Sequence, residues 1–90
     1  MSFFVYILKC ADGKLYTGQT NNLERRLKEH QSGRSHYTRT RRPVEMIFYH
    51  PVKSRNIARQ LEVTIKKTGA RHWLHMHALE SFYIDILNVM

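Results

Sequence analysis

Two apolar runs open the chain: Phe3-Phe4-Val5-Tyr6-Ile7-Leu8-Lys9 and Lys14-Leu15-Tyr16-Thr17-Gly18. Their β-branched and aromatic content favours strands. Asp12-Gly13 between them is a hairpin signal, because glycine accepts the positive φ that a tight turn demands. Beyond the hairpin the pattern becomes helical, with Leu23 and Leu27 on one stripe. Thr20-Asn21-Asn22 offers N-caps, and Glu24 stands three residues after Asn21, as in a capping box. This helix is predicted to run to about Gln31 and to stop before Gly33. Residues 32–43 are basic and polar, the mark of a loop. Val44 to His50 predicts a third strand, with Met46, Ile47, Phe48 and Tyr49 at its centre and Pro51 near its end. Ser54 is placed to cap a second helix that runs to about Thr68 and closes at Gly69, with Ile57, Ala58, Leu61 and Ile65 as its apolar positions. Further on, Trp73, Met76 and Leu79 fit a helix, whereas Phe82 to Val89 suits a helix end or a strand. The expected fold is a small α/β (α+β) domain of order β-β-α-β-α-α. A three-stranded, mostly antiparallel sheet is flanked by helices, and residues 1–90 form one domain.

Charge sharpens this picture. Fifteen Lys and Arg oppose seven acids, giving a formal net charge of +8. The excess is concentrated between Arg25 and Arg71, and no Lys or Arg follows Trp73. A positive stretch of this kind attracts a polyanion and releases its counterions. Nine of the fifteen are Arg, whose planar fork suits phosphate oxygens. The expected partner is nucleic acid. No apolar run reaches the roughly 20 residues that a membrane span needs. Met1-Ser2-Phe3-Phe4 lacks the basic start of a signal peptide. The single cysteine, Cys10, excludes an internal disulfide framework. A cytoplasmic location is the expectation.

The residues that could carry chemistry lie mainly in the hairpin and the first helix. Cutting a phosphodiester requires an activated water, a neutralised phosphorane and a stabilised leaving group. Tyr6 and Tyr16 are fixed on the hairpin. Arg26 and His30, one helical turn apart, border the Leu23–Leu27 stripe and can reach over the sheet. A tyrosine is a poor base unaided, with a reference pKa near ~10, and a neighbouring cation would have to lower it. The plainer reading makes both tyrosines strand residues at the core edge and His30 a satisfied surface group. Glu62 sits at the edge of the second helix's stripe among Arg59, Lys66 and Lys67. It is either a lone carboxylate ligand for a hydrated Mg²⁺ or an ordinary helix ion pair. In the loop, Arg34, Arg39, Arg41 and Arg42 are placed to track a phosphate backbone, with His36 and Tyr37 to stack on bases. The rival is a disordered, solvated loop. His72, His75 and His77 match no familiar zinc spacing. Cys10 reads as a small core residue.

Three segments in order, Phe4-Val5-Tyr6, Tyr16-Thr17-Gly18 and Asn22 to His30, resemble the GIY-YIG nuclease superfamily, above all its small stand-alone bacterial members. Tyr37-Thr38-Arg39-Thr40-Arg41-Arg42-Pro43-Val44-Glu45 is similar to their loop, and Ala58-Arg59-Gln60-Leu61-Glu62 with Lys66 to their second helix. The chain departs from them at Phe4-Val5, where the name motif has Gly-Ile, and around Arg71 to His77, where they usually carry a further Lys. The resemblance implies a metal-dependent endonuclease that hydrolyses DNA, one strand per site, in a DNA repair or recombination setting. Tyr6 would serve as base or orient the water, and Tyr16 would bond the water or the phosphate. Arg26, ten residues after Tyr16, would hold the scissile phosphate, and His30 would bond it or assist Tyr6. Glu62 would bind Mg²⁺ or Mn²⁺, and Lys66 would join the DNA-binding set. With no separate recognition domain, low sequence specificity follows. Two rival functions remain at this point. One is a nucleic-acid-binding module without turnover. The other is an accessory subunit whose apolar tail, Phe82 to Met90, docks a partner protein or a second copy.

Overall fold

The computed structural model describes residues 2–77. Three strands and three helices follow in the order β1 (Phe3–Lys9), β2 (Leu15–Thr20), α1 (Leu23–Gln31), β3 (Glu45–Val52), α2 (Arg55–Thr68) and α3 (Ala70–Met76). The sheet order is β2-β1-β3, and both pairings are antiparallel. This is the α+β arrangement that the apolar pattern predicts. Expectations that fall on residues 78–90, including Leu79 and the Phe82–Met90 docking tail, lie outside the described residues.

The hairpin turn is a three-residue loop. The Cys10 amide donates to the Lys14 carbonyl and the Gly13 amide to the Cys10 carbonyl, both at 2.9 Å. Gly13 takes φ +85°, which a residue with a Cβ resists. β2 starts one residue later than Lys14 and extends two residues past Gly18. It extends because Thr20 still pairs with Phe4 and buries its side chain. α1 is capped by Asn22 rather than Asn21, its side chain accepting from the Arg25 amide at 3.0 Å. Glu24 therefore makes no capping box and pairs with Lys28 at 3.3 Å.

Register divides the sheet into two faces. On one, Tyr6 lies opposite Gly18 and Leu8 opposite Tyr16. This face packs with Cys10, Val44 and Met46, and with Leu23 and Leu27 from α1. On the other, Val5 and Ile7 pack with Phe48, with Ala58 and Ile65 of α2 and with Trp73 and Leu74 of α3. The register of β1 against β3 slips between Ile7 and Leu8, so that Phe48 faces Ile7 and Met46 faces Leu8. This bulge lets the adjacent Ile47 and Phe48 both join the Val5–Ile7 core. Pro51 is tolerated inside β3 because β3 is an edge strand. Two of the apolar positions expected on the helix stripes are not core: Ile57 is 44% exposed and Met76 is 61% exposed. α3 instead buries the adjacent Trp73 and Leu74, because a seven-residue helix docked at its middle presents a short wedge rather than a long stripe.

Candidate active site

Tyr6 is 1% exposed, and its hydroxyl is the point on which the site converges. It lies 2.9 Å from His30 Nε2 and accepts a 3.3 Å hydrogen bond from Arg26 Nε. Both partners come from α1, where a spacing of four residues sets them on one side of the helix. The Leu23 and Leu27 stripe docks that side onto the sheet, which brings both to Tyr6. Gly18 makes the approach sterically feasible. A Cβ at this position would stand 2.5 Å from Tyr6 Oη, 2.7 Å from Cζ and 3.1 Å from Tyr16 Cε2. The glycine thus serves close packing here, not a turn.

Tyr16 is half-buried beside Tyr6, with ring centroids 6.3 Å apart. It also meets His30 edge-on at 5.0 Å and Tyr37 at 5.4 Å. Arg26 donates to the Tyr6 hydroxyl at 3.3 Å and pairs with the Glu29 carboxylate at 2.9 Å. Burial works against its charge, but these partners outweigh burial and hold its pKa above the ordinary arginine value. Glu29 was not legible as a site residue, although its spacing three after Arg26 is the signal that marks it. Its own pKa is lowered, first by the hydrogen bond from Arg26.

The electrostatics place a limit on the tyrosine. Burial pushes the Tyr6 phenol up to about 12, and the hydrogen bond from Arg26 only partly opposes it. Tyr16 and Glu62 add to the rise through their fields. The neighbouring cation therefore does not lower the phenol below its reference value, and Tyr6 rests neutral. His30 is fully buried, and desolvation pushes it down to about 4, so the imidazole is also neutral at physiological pH. Its Nδ1 lies 2.7 Å from Thr38 Oγ1.

Glu62, on α2, is near enough for its charge to act on Tyr6. Its carboxylate pairs with Lys66 Nζ at 3.0 Å, and its side chain is 19% exposed. No group of three or more His, Cys, Asp or Glu gathers among the described residues. The donor set therefore does not fit an ion caged wholly by protein. Glu62 would suit a hydrated Mg²⁺, which often takes a single protein carboxylate; in this structure that carboxylate is paired with Lys66.

The basic loop is folded rather than loose. Ser35 and Thr38 are buried, and the Arg41 carbonyl accepts from the Ala11 amide at 2.9 Å. Arg41 lies over the Tyr37 ring at 4.2 Å, donates to the Tyr37 carbonyl at 2.7 Å and pairs with Asp12 at 3.2 Å. Arg42 donates to the carbonyls of Arg39 and Gln31. Of the residues expected along a DNA path, Arg34 and Arg39 are exposed, while Arg41 and Arg42 spend donors on holding the loop. Arg25 also points outward, bonded to Asn21, which leaves Arg26 as the arginine of the site. Near the end of the described chain, His77 stacks on Trp73 at 4.4 Å.

A small antiparallel sheet that carries two tyrosines, with an arginine and a histidine delivered by the following helix, defines a GIY-YIG catalytic domain. The chain belongs to that family, whose model matches residues 2–74. It is similar to UPF0213 proteins. It is 48% identical to one from Clostridium perfringens over 87% of this chain and 85% of that protein. It is 46% identical to one from Desulfotalea psychrophila over 73% of this chain, a match that spans only 62% of that relative's length. Among solved structures, the UPF0213 protein of Bacillus halodurans aligns with TM-score 0.59 and 33% identity, covering 97% of this chain and 94% of that one. A protein from E. faecalis aligns with TM-score 0.61 and 39% identity, covering 90% and 91%. No described helix is long and apolar enough to cross a membrane.

Proposed function

We propose that this chain is a metal-dependent endonuclease that hydrolyses DNA with low intrinsic sequence specificity. The observation that carries the reading is the convergence of Arg26 Nε and His30 Nε2 on the Tyr6 hydroxyl beside Tyr16. Nucleases of the family are generally dependent on a divalent metal. Glu62 is the residue to hold it, and the ion supplies charge neutralisation and lowers the pKa of nearby groups.

The remaining chemistry belongs to the protein's own side chains. A phenol at about 12 is a weak proton acceptor at rest, so Tyr6 begins as a neutral group that orients the attacking water. It becomes a base only as added positive charge brings its pKa down. Arg26 is kept charged and is anchored by Glu29. It presents guanidinium hydrogens to the phosphate as negative charge builds. Tyr16 supplies a second hydroxyl at the open side of the pair. Exposed Arg34 and Arg39 with Lys66 draw in the backbone, while Arg41, Arg42 and Tyr37 shape the loop that meets it. These contacts read phosphate rather than base edges, hence the low specificity.

A cleavage panel of single-stranded, duplex, flap and junction DNA, with and without Mg²⁺ or Mn²⁺, tests this. The wild type should cut at least one form only with metal. Tyr6→Phe and Glu62→Ala should each lower the rate by about 10²-fold or more while DNA affinity stays within a few-fold. Undiminished cleavage in both variants would refute the site. A wild type that binds DNA but cuts none of the forms would make the chain a binding module.

A further inference from the structure

We propose that the cleft between the hairpin turn and the start of α3 is a nucleotide-binding subsite. It takes one nucleotide of the single strand whose cut phosphate lies beside Tyr16, and Lys14 and Arg71 hold that nucleotide's own phosphate. The position of the cut rests on the nuclease reading; occupancy of the cleft stands on its own residues.

The sheet order β2-β1-β3 leaves β2 with a free edge, and Tyr16 and Gly18 of the candidate site lie on this strand. The cleft adjoins them. Its lining includes Leu15, the chain neighbour of Tyr16, and Tyr37, whose ring lies 5.4 Å from the Tyr16 ring. Leu15 and Ala70 are half-buried apolar residues of the lining, whereas Lys14, Arg71 and His72 are exposed and polar. A Cβ added at Gly69 would meet no atom within 4 Å, so the backbone is open there.

Two features suit a nucleotide. The cleft measures about 460 Å³, the size of a small-ligand site rather than of a duplex groove. Its apolar part matches a sugar and a base, and its cations match a phosphate. Those cations are also unspent. No Asp or Glu lines the cleft, and among the described residues no carboxylate pairs with Lys14 or Arg71. Arg71 Nη2 donates to the Gly13 carbonyl at 2.7 Å. This bond ties α3 to the hairpin turn and holds the guanidinium in place, while its other N–H groups remain for an anion. The neighbouring clefts lack this combination. The groove on α1 sets Lys28 against Glu24 and contains Glu29 as well. The cleft at Pro43 contains Arg42, which donates to the carbonyls of Arg39 and Gln31.

The test is fluorescence anisotropy with the full chain and a labelled single-stranded DNA of mixed sequence, about 20 nucleotides long, between about 50 and 200 mM NaCl. Lys14→Gln is compared with Lys53→Gln, which makes the same charge change at an exposed residue just after β3, the opposite edge strand. Lys14→Gln should weaken binding by about three- to tenfold at low salt and make log affinity against log salt shallower by about 0.7. Lys53→Gln should follow the wild type. Equal behaviour of the two variants overturns the subsite, as does a wild type that fails to hold the strand. On a strand that the wild type cuts, Lys14→Gln should raise KM by the same factor and leave kcat within about twofold. A fall in kcat with KM unchanged would also overturn it, because the nucleotide in the cleft does not react. The anisotropy readout needs no cleavage. Binding that follows the expected pattern without cleavage refutes the nuclease reading and supports the subsite; cleavage with the two variants alike does the reverse.

Discussion

Acidification reports directly on the buried His30. In the unfolded chain the ring titrates near ~6.5. In the fold, desolvation pushes it down to about 4; the charge of Arg26 acts in the same direction and that of Glu29 opposes it. Between these two values the unfolded chain binds one more proton than the folded one, so stability falls as pH falls. From pH 7 to pH 5 this single group should remove about 2 kcal/mol, and about 3 kcal/mol by pH 4. Urea unfolding followed by circular dichroism measures it. With a urea dependence of roughly 1 kcal/mol per molar for a small domain, the midpoint should drop by about 2 M between pH 7 and pH 5. His30→Gln removes the titration. It should be less stable at pH 7 through lost packing and hydrogen bonds, yet show a flatter decline toward pH 5. Subtracting the two profiles cancels the other histidines. Parallel profiles, agreeing within about 0.5 kcal/mol, would refute the assignment of a buried, neutral His30.

Gly18→Ala places a Cβ within 2.5 Å of a phenol that burial, His30 and Arg26 prevent from moving aside. It should destabilise by about 1–3 kcal/mol and lower cleavage with it, and an unchanged Tm would contradict the close approach. Glu29→Gln removes the negative partner of Arg26 while keeping a similar shape. DNA affinity by fluorescence anisotropy should rise a few-fold, while single-turnover cleavage falls because Arg26 loses its anchor. A fall in both would mean that Glu29 serves stability alone.

Much of the scaffold was legible because its causes are local. Asp12-Gly13, the Leu23–Leu27 stripe, Ser54 and Gly69 each act over a few residues, and the elements they predict are present. The misses share a cause too. The capping residue of α1 and the ends of β2 depend on where the chain leaves the sheet. Ile57 and Met76 are apolar and correctly phased, yet lie exposed because no neighbour among the described residues covers them. Ile47 and Phe48 share a core only because a bulge against Ile7 and Leu8 resets the alternation.

For the site, sequence alone determined which side chains share an element face: Tyr6 on β1, Tyr16 and Gly18 on β2, and Arg26 with His30 on α1. Helical and strand periods are properties of the backbone, so this much needs no fold. Tertiary structure decided what those faces meet. It brought Thr38 from the loop onto His30 and committed Arg41 to Asp12. It also set the protonation of the pair, raising Tyr6 and lowering His30. Desolvation depends on everything packed around a group, and no spacing along the chain encodes that enclosure.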